Sequence, residues 1–295
     1  MDTLTLQSTE GKLSLRGIKN IPLFFGDIFF FSTLSIVVYS HHIYVSMSKL
    51  AISVKSRFLL PIYRLIIPSH DGDYYITPSV PYLSQFIRIQ PGSITPQTQL
   101  TNPEDIKEFG AKDSTEFSFW AWRDCGIVCV KMILNAYGKA KDTSIMDLTN
   151  EGIKLGGYIA YDENGNLVDR GWYHQSLVDL LHSFGIKAKR KDPQSIESVA
   201  NDILHNRLVM ISVLIPGRAY INEDGAYSAK PQAKYGGHLL LGIGVRMKGK
   251  LVEGIYVHDP MGLPTYQANT FIPKEVFNKI CKRRTIVALP PKGFH

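Results

Sequence analysis

The chain has 295 residues, of which 44% are hydrophobic and 20% charged. That is enough apolar material for one or two cored domains, and it excludes an intrinsically disordered chain. Three cysteines exclude a disulfide framework, and a net charge of +7 with a pI near 9.1 permits an anionic partner without requiring one.

From the N-terminus, Met1-Asp2-Thr3-Leu4 lacks a basic n-region and no small-residue cleavage site follows promptly. No secretory signal is expected, which favours a cytoplasmic location. The phenylalanine-rich stretch 21–39 approaches the length of a membrane span but contains Pro22, Gly26 and Asp27. Its β-branched and aromatic content suits buried strands better than membrane association. Strands are predicted at 12–15, 28–39, 42–47, 50–54 and 60–67, a β-rich module without a chemical motif. His41 and His42 are adjacent in such a pattern, point to opposite faces and make poor joint ligands. The break at Pro68-Ser69-His70-Asp71-Gly72-Asp73 sets the expected boundary between a module of 1–72 and a domain of 73–295.

Trp120 and Trp122 precede Asp124-Cys125-Gly126, which opens an apolar run ending at Asn135-Ala136-Tyr137-Gly138. The pattern predicts a buried helix with Asp124 as N-cap and Cys125 in the first turn. A thiol there feels the positive end of the helix dipole, and neighbouring N–H groups are placed to receive an oxyanion. Gly126 is expected to keep the approach to sulfur open. The competing reading of Cys125 is a buried structural cysteine. Cys129, one turn later, reads as a small core residue, and Cys281 as structural. No second Cys or His cluster has zinc-ligand spacing, so neither metal nor cofactor is expected.

Further helices are predicted at 144–151, 175–184 and 196–205, the last with Ser195 as cap, and a buried strand at 208–215. Tyr161-Asp162-Glu163-Asn164-Gly165-Asn166 is a turn that lacks the final glutamate of a calcium loop. Basic residues cluster at Lys187-Ala188-Lys189-Arg190-Lys191 and Lys282-Arg283-Arg284. Neither cluster is interleaved with stacking aromatics, so both read as solvated faces and no nucleic-acid partner is expected. The long segment 216–236 reads as a binding lid or a mobile loop.

Gly236-Gly237-His238 leads into a short apolar strand, and Gly254-Ile255-Tyr256-Val257-His258-Asp259-Pro260 reads as a second strand stopped by proline. If they pair as a hairpin across 246–253, the start of one lies beside the end of the other, and His238 meets Asp259. A histidine oriented by a carboxylate and facing a helix-start cysteine is what thiol acyl transfer requires.

Taken in order, Val80-Pro81-Tyr82-Leu83-Ser84-Gln85, Asp124-Cys125-Gly126, Gly237-His238 and Asp259-Pro260 resemble the C39-like branch of papain-fold cysteine peptidases over roughly residues 78–285. The resemblance implies an α+β papain-like fold following the N-terminal β-rich module. It implies Cys125 as nucleophile, His238 as base and acid, Asp259 as its orienting residue and Gln85 as side-chain donor to the oxyanion hole. Bacteriocin-exporter members hold that glutamine within a turn or two of the cysteine, so here the stretch from Arg88 to Trp122 reads as an insertion, and Gln90 competes with Gln85. Trp120 and Trp122 would line the cleft; otherwise they are core aromatics. The function expected is hydrolysis of a peptide or amide bond in a peptide or protein substrate. The alternatives are transglutaminase-like acyl transfer and a binding protein on an inert papain-like scaffold.

Overall fold

The computed structural model describes residues 67–88, 94, 98–159, 164–165, 171–216, 235–261 and 268–293, and the backbone of 8–9 and 12–13. Contacts divide the chain into two units, Met1–Leu50 and Ala51–His295. In the first, β1 (Ser8–Thr9) pairs antiparallel with β2 (Lys12–Leu13). The other strands predicted before residue 67, the phenylalanine-rich stretch, His41-His42, Gln90 and most of the 216–236 loop lie outside the described residues.

The second unit is built on an antiparallel sheet of β3 (Gly72–Tyr75), β4 (Ala188–Lys191), β5 (Leu208–Pro216), β6 (Tyr235–Lys248), β7 (Leu251–His258), β8 (Thr270–Pro273) and β9 (Cys281–Ala288). Its order is β4-β9-β5-β6-β7-β8. The long β6 takes β5 along residues 235–242 and β3 along 244–247, with β7 on its other edge. Most described apolar side chains on β5, β6 and β7 are buried, Leu251 at the start of β7 being exposed, which is why their sequences run nearly unbroken in Leu, Ile, Val and Met. β3 reaches into the domain from its N-terminal side. Ile67 is buried, and the His70 N–H donates to Gly249 O at 3.0 Å.

The helices are α1 (Pro103–Phe109), α2 (Ser114–Ala121), α3 (Cys125–Ala136), α4 (Ile145–Lys154), α5 (His174–Ser183), α6 (Ile196–Leu204) and α7 (Lys274–Ile280). Local chemistry starts several of them. Ser144 and Asp147 form a reciprocal capping box on α4, and Ser195 Oγ accepts from the Ser198 N–H at the start of α6. α3 is the central helix, packed on β6 and flanked by α4 and α5. Ile127, Val128, Val130, Met132, Ile133 and Leu134 are wholly buried, which contributes on the order of 10 kcal/mol of apolar transfer free energy. The lone charge in that helix, Lys131, is satisfied by Ala140 O at 2.7 Å, Thr143 O at 2.5 Å and Lys141 O at 3.3 Å. The two basic clusters fall on adjacent strands β4 and β9 at the sheet edge.

Candidate active site

Cys125 is the first residue of α3 and is partly exposed, whereas Gly126 to Leu134 are buried. Asp124 holds the N-cap position, but its side chain makes no capping hydrogen bond. The expectation of a capping aspartate is therefore corrected. The carboxyl turns into the core, fully buried, with Oδ2 2.6 Å from Thr149 Oγ1, which also lies 2.9 Å from Ile145 O. One hydroxyl proton cannot serve both oxygens. A neutral carboxyl that donates to Thr149, while Thr149 donates to Ile145 O, satisfies the pair. Burial accordingly pushes the Asp124 pKa up to about 8. Two consequences reach the thiol: its chain neighbour Asp124 is largely uncharged at neutral pH, and Asp124 does not occupy the first-turn N–H groups.

Gly126 also serves a different purpose from the one expected. A Cβ there would lie 3.0 Å from Leu177 Cδ1, 3.1 Å from Leu239 Cδ1 and 3.4 Å from Trp172 Cβ. The glycine lets α3 press against α5 and against β6 beside His238; it does not clear a path to sulfur. The buried Cys129 thiol donates to Leu239 O at 3.5 Å, a second tie between α3 and the strand carrying the histidine. Burial raises the Cys129 pKa well above its ordinary value, in keeping with an inert core thiol.

β6 and β7 form the predicted hairpin, closed by Gly249 and Lys250, with Leu241 paired to His258. Asp259 falls one step past that pair, and His238 lies on the same face of β6 as Leu240. The side chains meet: His238 Nε2 is 2.6 Å from Asp259 Oδ1, with both residues buried. The Met261 N–H donates to the same carboxylate oxygen at 2.9 Å. The Cys125 side chain lies near the same imidazole and raises its pKa, while Nε2 is the nitrogen taken by Asp259. Burial opposes protonation of His238, but the charge of Asp259 and its hydrogen bond to the ring, together with the neighbouring Cys125 side chain, outweigh it and push the pKa up to about 10.

Gln85 is buried beside this cluster, its N–H donating to Pro260 O at 2.7 Å. Tyr82 Oη donates to Asp259 O at 2.9 Å, and His258 Nε2 is 2.9 Å from Val80 O. The segment 80–85 is thus laid along the end of β7. Sequence reasoning assigned no role to Tyr82, His258 or Thr149. A usable signal existed for one of them: His258 alternates with Asp259 on a strand and must face away from it.

Trp122 packs edge-on against Phe86, next to Gln85, with ring centroids 4.9 Å apart. Trp120 instead joins Tyr158 and Trp172 and helps line a pocket of about 640 Å³ with Phe119, Ile153 and Ile159. Cys125 and His238 do not line that pocket. Arg88 ties the 80–88 stretch to the first helix, pairing with Glu104 at 2.6 Å and Asp105 at 3.0 Å. Among the described residues, no group of three His, Cys, Asp or Glu side chains is placed to hold a metal, and no helix is long and apolar enough to cross a membrane.

A C39-like peptidase of Bacillus anthracis is 17% identical, with a TM-score of 0.45, covering 74% of this chain and 98% of its own. The peptidase domain of Streptococcus ComA, a bifunctional ABC transporter of a quorum-sensing pathway, is 14% identical with a TM-score of 0.37, covering 58% and 93%. Xylellain, a cysteine protease from Xylella fastidiosa, is 10% identical with a TM-score of 0.37, covering 76% and 98%. No curated protein sequence matches the chain. The model of the Peptidase_C39 like family matches residues 93–284, a span that holds Cys125, His238 and Asp259 and begins after Gln85. With well over half of its length matched and an α+β, papain-like arrangement of helices and antiparallel sheet, the chain belongs to the Peptidase_C39 like family.

Proposed function

We propose that this protein is a cysteine peptidase or amidohydrolase acting through a thioester at Cys125. The observation that carries the reading is the buried 2.6 Å contact between His238 Nε2 and Asp259 Oδ1, with the Cys125 side chain near enough to the same ring to raise its pKa. Asp259 orients the imidazole and stabilises its protonated form. His238 takes the thiol proton, sulfur attacks the substrate carbonyl carbon, and the carbonyl π pair moves to oxygen. The Cys125 backbone N–H and the Gln85 side chain donate to that oxyanion. Collapse re-forms the carbonyl and breaks the C–N bond as His238 gives its proton to the leaving amine. Water then attacks the thioester while His238 accepts its proton. Expulsion of sulfur, reprotonated by His238, releases the carboxylic acid. No step calls on a cofactor.

The test is a peptide library incubated with wild type and with Cys125→Ala, read by mass spectrometry. New termini with wild type alone are expected. A Cys125 that reacts with iodoacetamide yet yields no cleavage from any peptide points to the inert binding scaffold. Amide products formed only when a primary amine is added point to acyl transfer.

A further inference from the structure

We propose that His258 is a positioning residue, which clamps the 80–85 segment onto the end of β7 and thereby fixes Gln85 at the oxyanion. The inference rests on the reading of Gln85 as donor given above.

His258 is buried, and both ring nitrogens are engaged. The backbone N–H of Asn269 donates to Nδ1 at 3.0 Å, so the ring proton resides on Nε2, where it meets Val80 O at 2.9 Å. Only this tautomer satisfies both partners. Burial lowers the His258 pKa and keeps the ring neutral, as that pattern requires.

Three successive residues of one strand end each hold one residue of the segment. His258 bonds Val80, Asp259 O accepts from Tyr82 Oη, and Pro260 O accepts from the Gln85 N–H. The His258 ring also meets Tyr82 edge-on, with centroids 5.4 Å apart at 76°. The segment has no helix or ladder strand of its own, only a bridge between Ser84 and Ile87. Gln85 Oε1 is buried with no hydrogen-bond partner among the described residues, so this oxygen does not anchor the side chain, and its position follows the backbone. His258 therefore couples donor placement to the same strand end that carries Asp259, and it does so from the opposite face.

Two variants divide the ring's contacts. His258→Asn keeps an acceptor where Nδ1 stood and cannot reach Val80; His258→Gln extends a donor to Val80 and gives up the Asn269 bond. Peptide hydrolysis supplies kcat and KM. Iodoacetamide alkylation of Cys125 supplies a readout with no tetrahedral oxyanion. We expect His258→Asn to lose about 10-fold in kcat with KM and the alkylation rate little changed, a fraction of what one oxyanion donor is worth. His258→Gln should recover most of that loss, and in a Gln85→Ala background His258→Asn should cost nothing further. Equal losses in both variants, accompanied by slower alkylation, would reduce His258 to a structural role and overturn the proposal. So would an undiminished penalty in the Gln85→Ala background, or no penalty at all. Alkylation without hydrolysis in wild type would instead defeat the peptidase reading itself, and this inference with it.

Discussion

Replacing Asp124 with asparagine removes a titratable group from the core directly beside the proposed nucleophile. Its folded-state pKa is raised from 3.8 to about 8 by burial. The folded protein thus holds this proton more tightly than the unfolded chain does. Stability from this group is complete below pH 3.8, declines as the unfolded chain ionises, and reaches its full loss above pH 8. At about 1.4 kcal/mol per pH unit, the loss between pH 4 and pH 8 is roughly 5 kcal/mol. Asparagine keeps the contact with Thr149 and loses no proton, though its second N–H goes unpaired at a cost of about 1–3 kcal/mol. His238 carries the same sign: with its pKa raised from 6.5 to about 10, its stabilisation is present below pH 6.5 and fades as pH rises toward 10. It titrates in both proteins and cancels from the difference. Urea denaturation of wild type and Asp124→Asn from pH 4 to pH 9 checks the sum. The variant should be the less stable at pH 4 and the more stable at pH 8, with the difference moving by several kcal/mol. A difference that stays flat across the range would refute the neutral, buried carboxyl.

Gln85→Ala should lower kcat about 10²-fold and leave KM nearly unchanged, as loss of a donor used only in the transition state would; an unaltered rate, with the loss appearing in Gln90→Ala, would transfer the role. Gly126→Ala forces a Cβ against Leu177, Leu239 and Trp172, so unfolding free energy should fall by about 1–3 kcal/mol in chemical denaturation, with activity falling too because Leu239 adjoins His238. A chain beginning at Gly72 should fold and retain Cys125 alkylation, less stable by about 1.5–3 kcal/mol for the loss of buried Ile67. A folded truncation whose Cys125 resists iodoacetamide would mean that the N-terminal segment helps build the site, and the proposed boundary at 72 and 73 would fall with it.

Periodicity and punctuation in the sequence were sufficient for the local elements that carry chemistry. The apolar run from Gly126, stopped by Tyr137-Gly138, specifies α3 and puts Cys125 at its first turn. The strand ended by Asp259-Pro260 and the strand opened by Gly237-His238 specify a hairpin, and antiparallel pairing brings their ends together. These features are legible because hydrogen bonding within one helix or one hairpin depends on neighbours in the chain. The placement of the 80–85 segment depends on residues more than 170 positions away, through Val80 with His258 and Tyr82 with Asp259. No local pattern encodes such pairings. The same limit explains Asp124 and Gly126. At a helix start, aspartate reads as a cap and glycine as open space, and only the packed neighbours, Thr149 on one side and Leu239, Leu177 and Trp172 on the other, decide that the carboxyl is buried and the space is filled. Charge state and steric fit are properties of what surrounds a side chain in three dimensions, so they were decided by the tertiary structure alone.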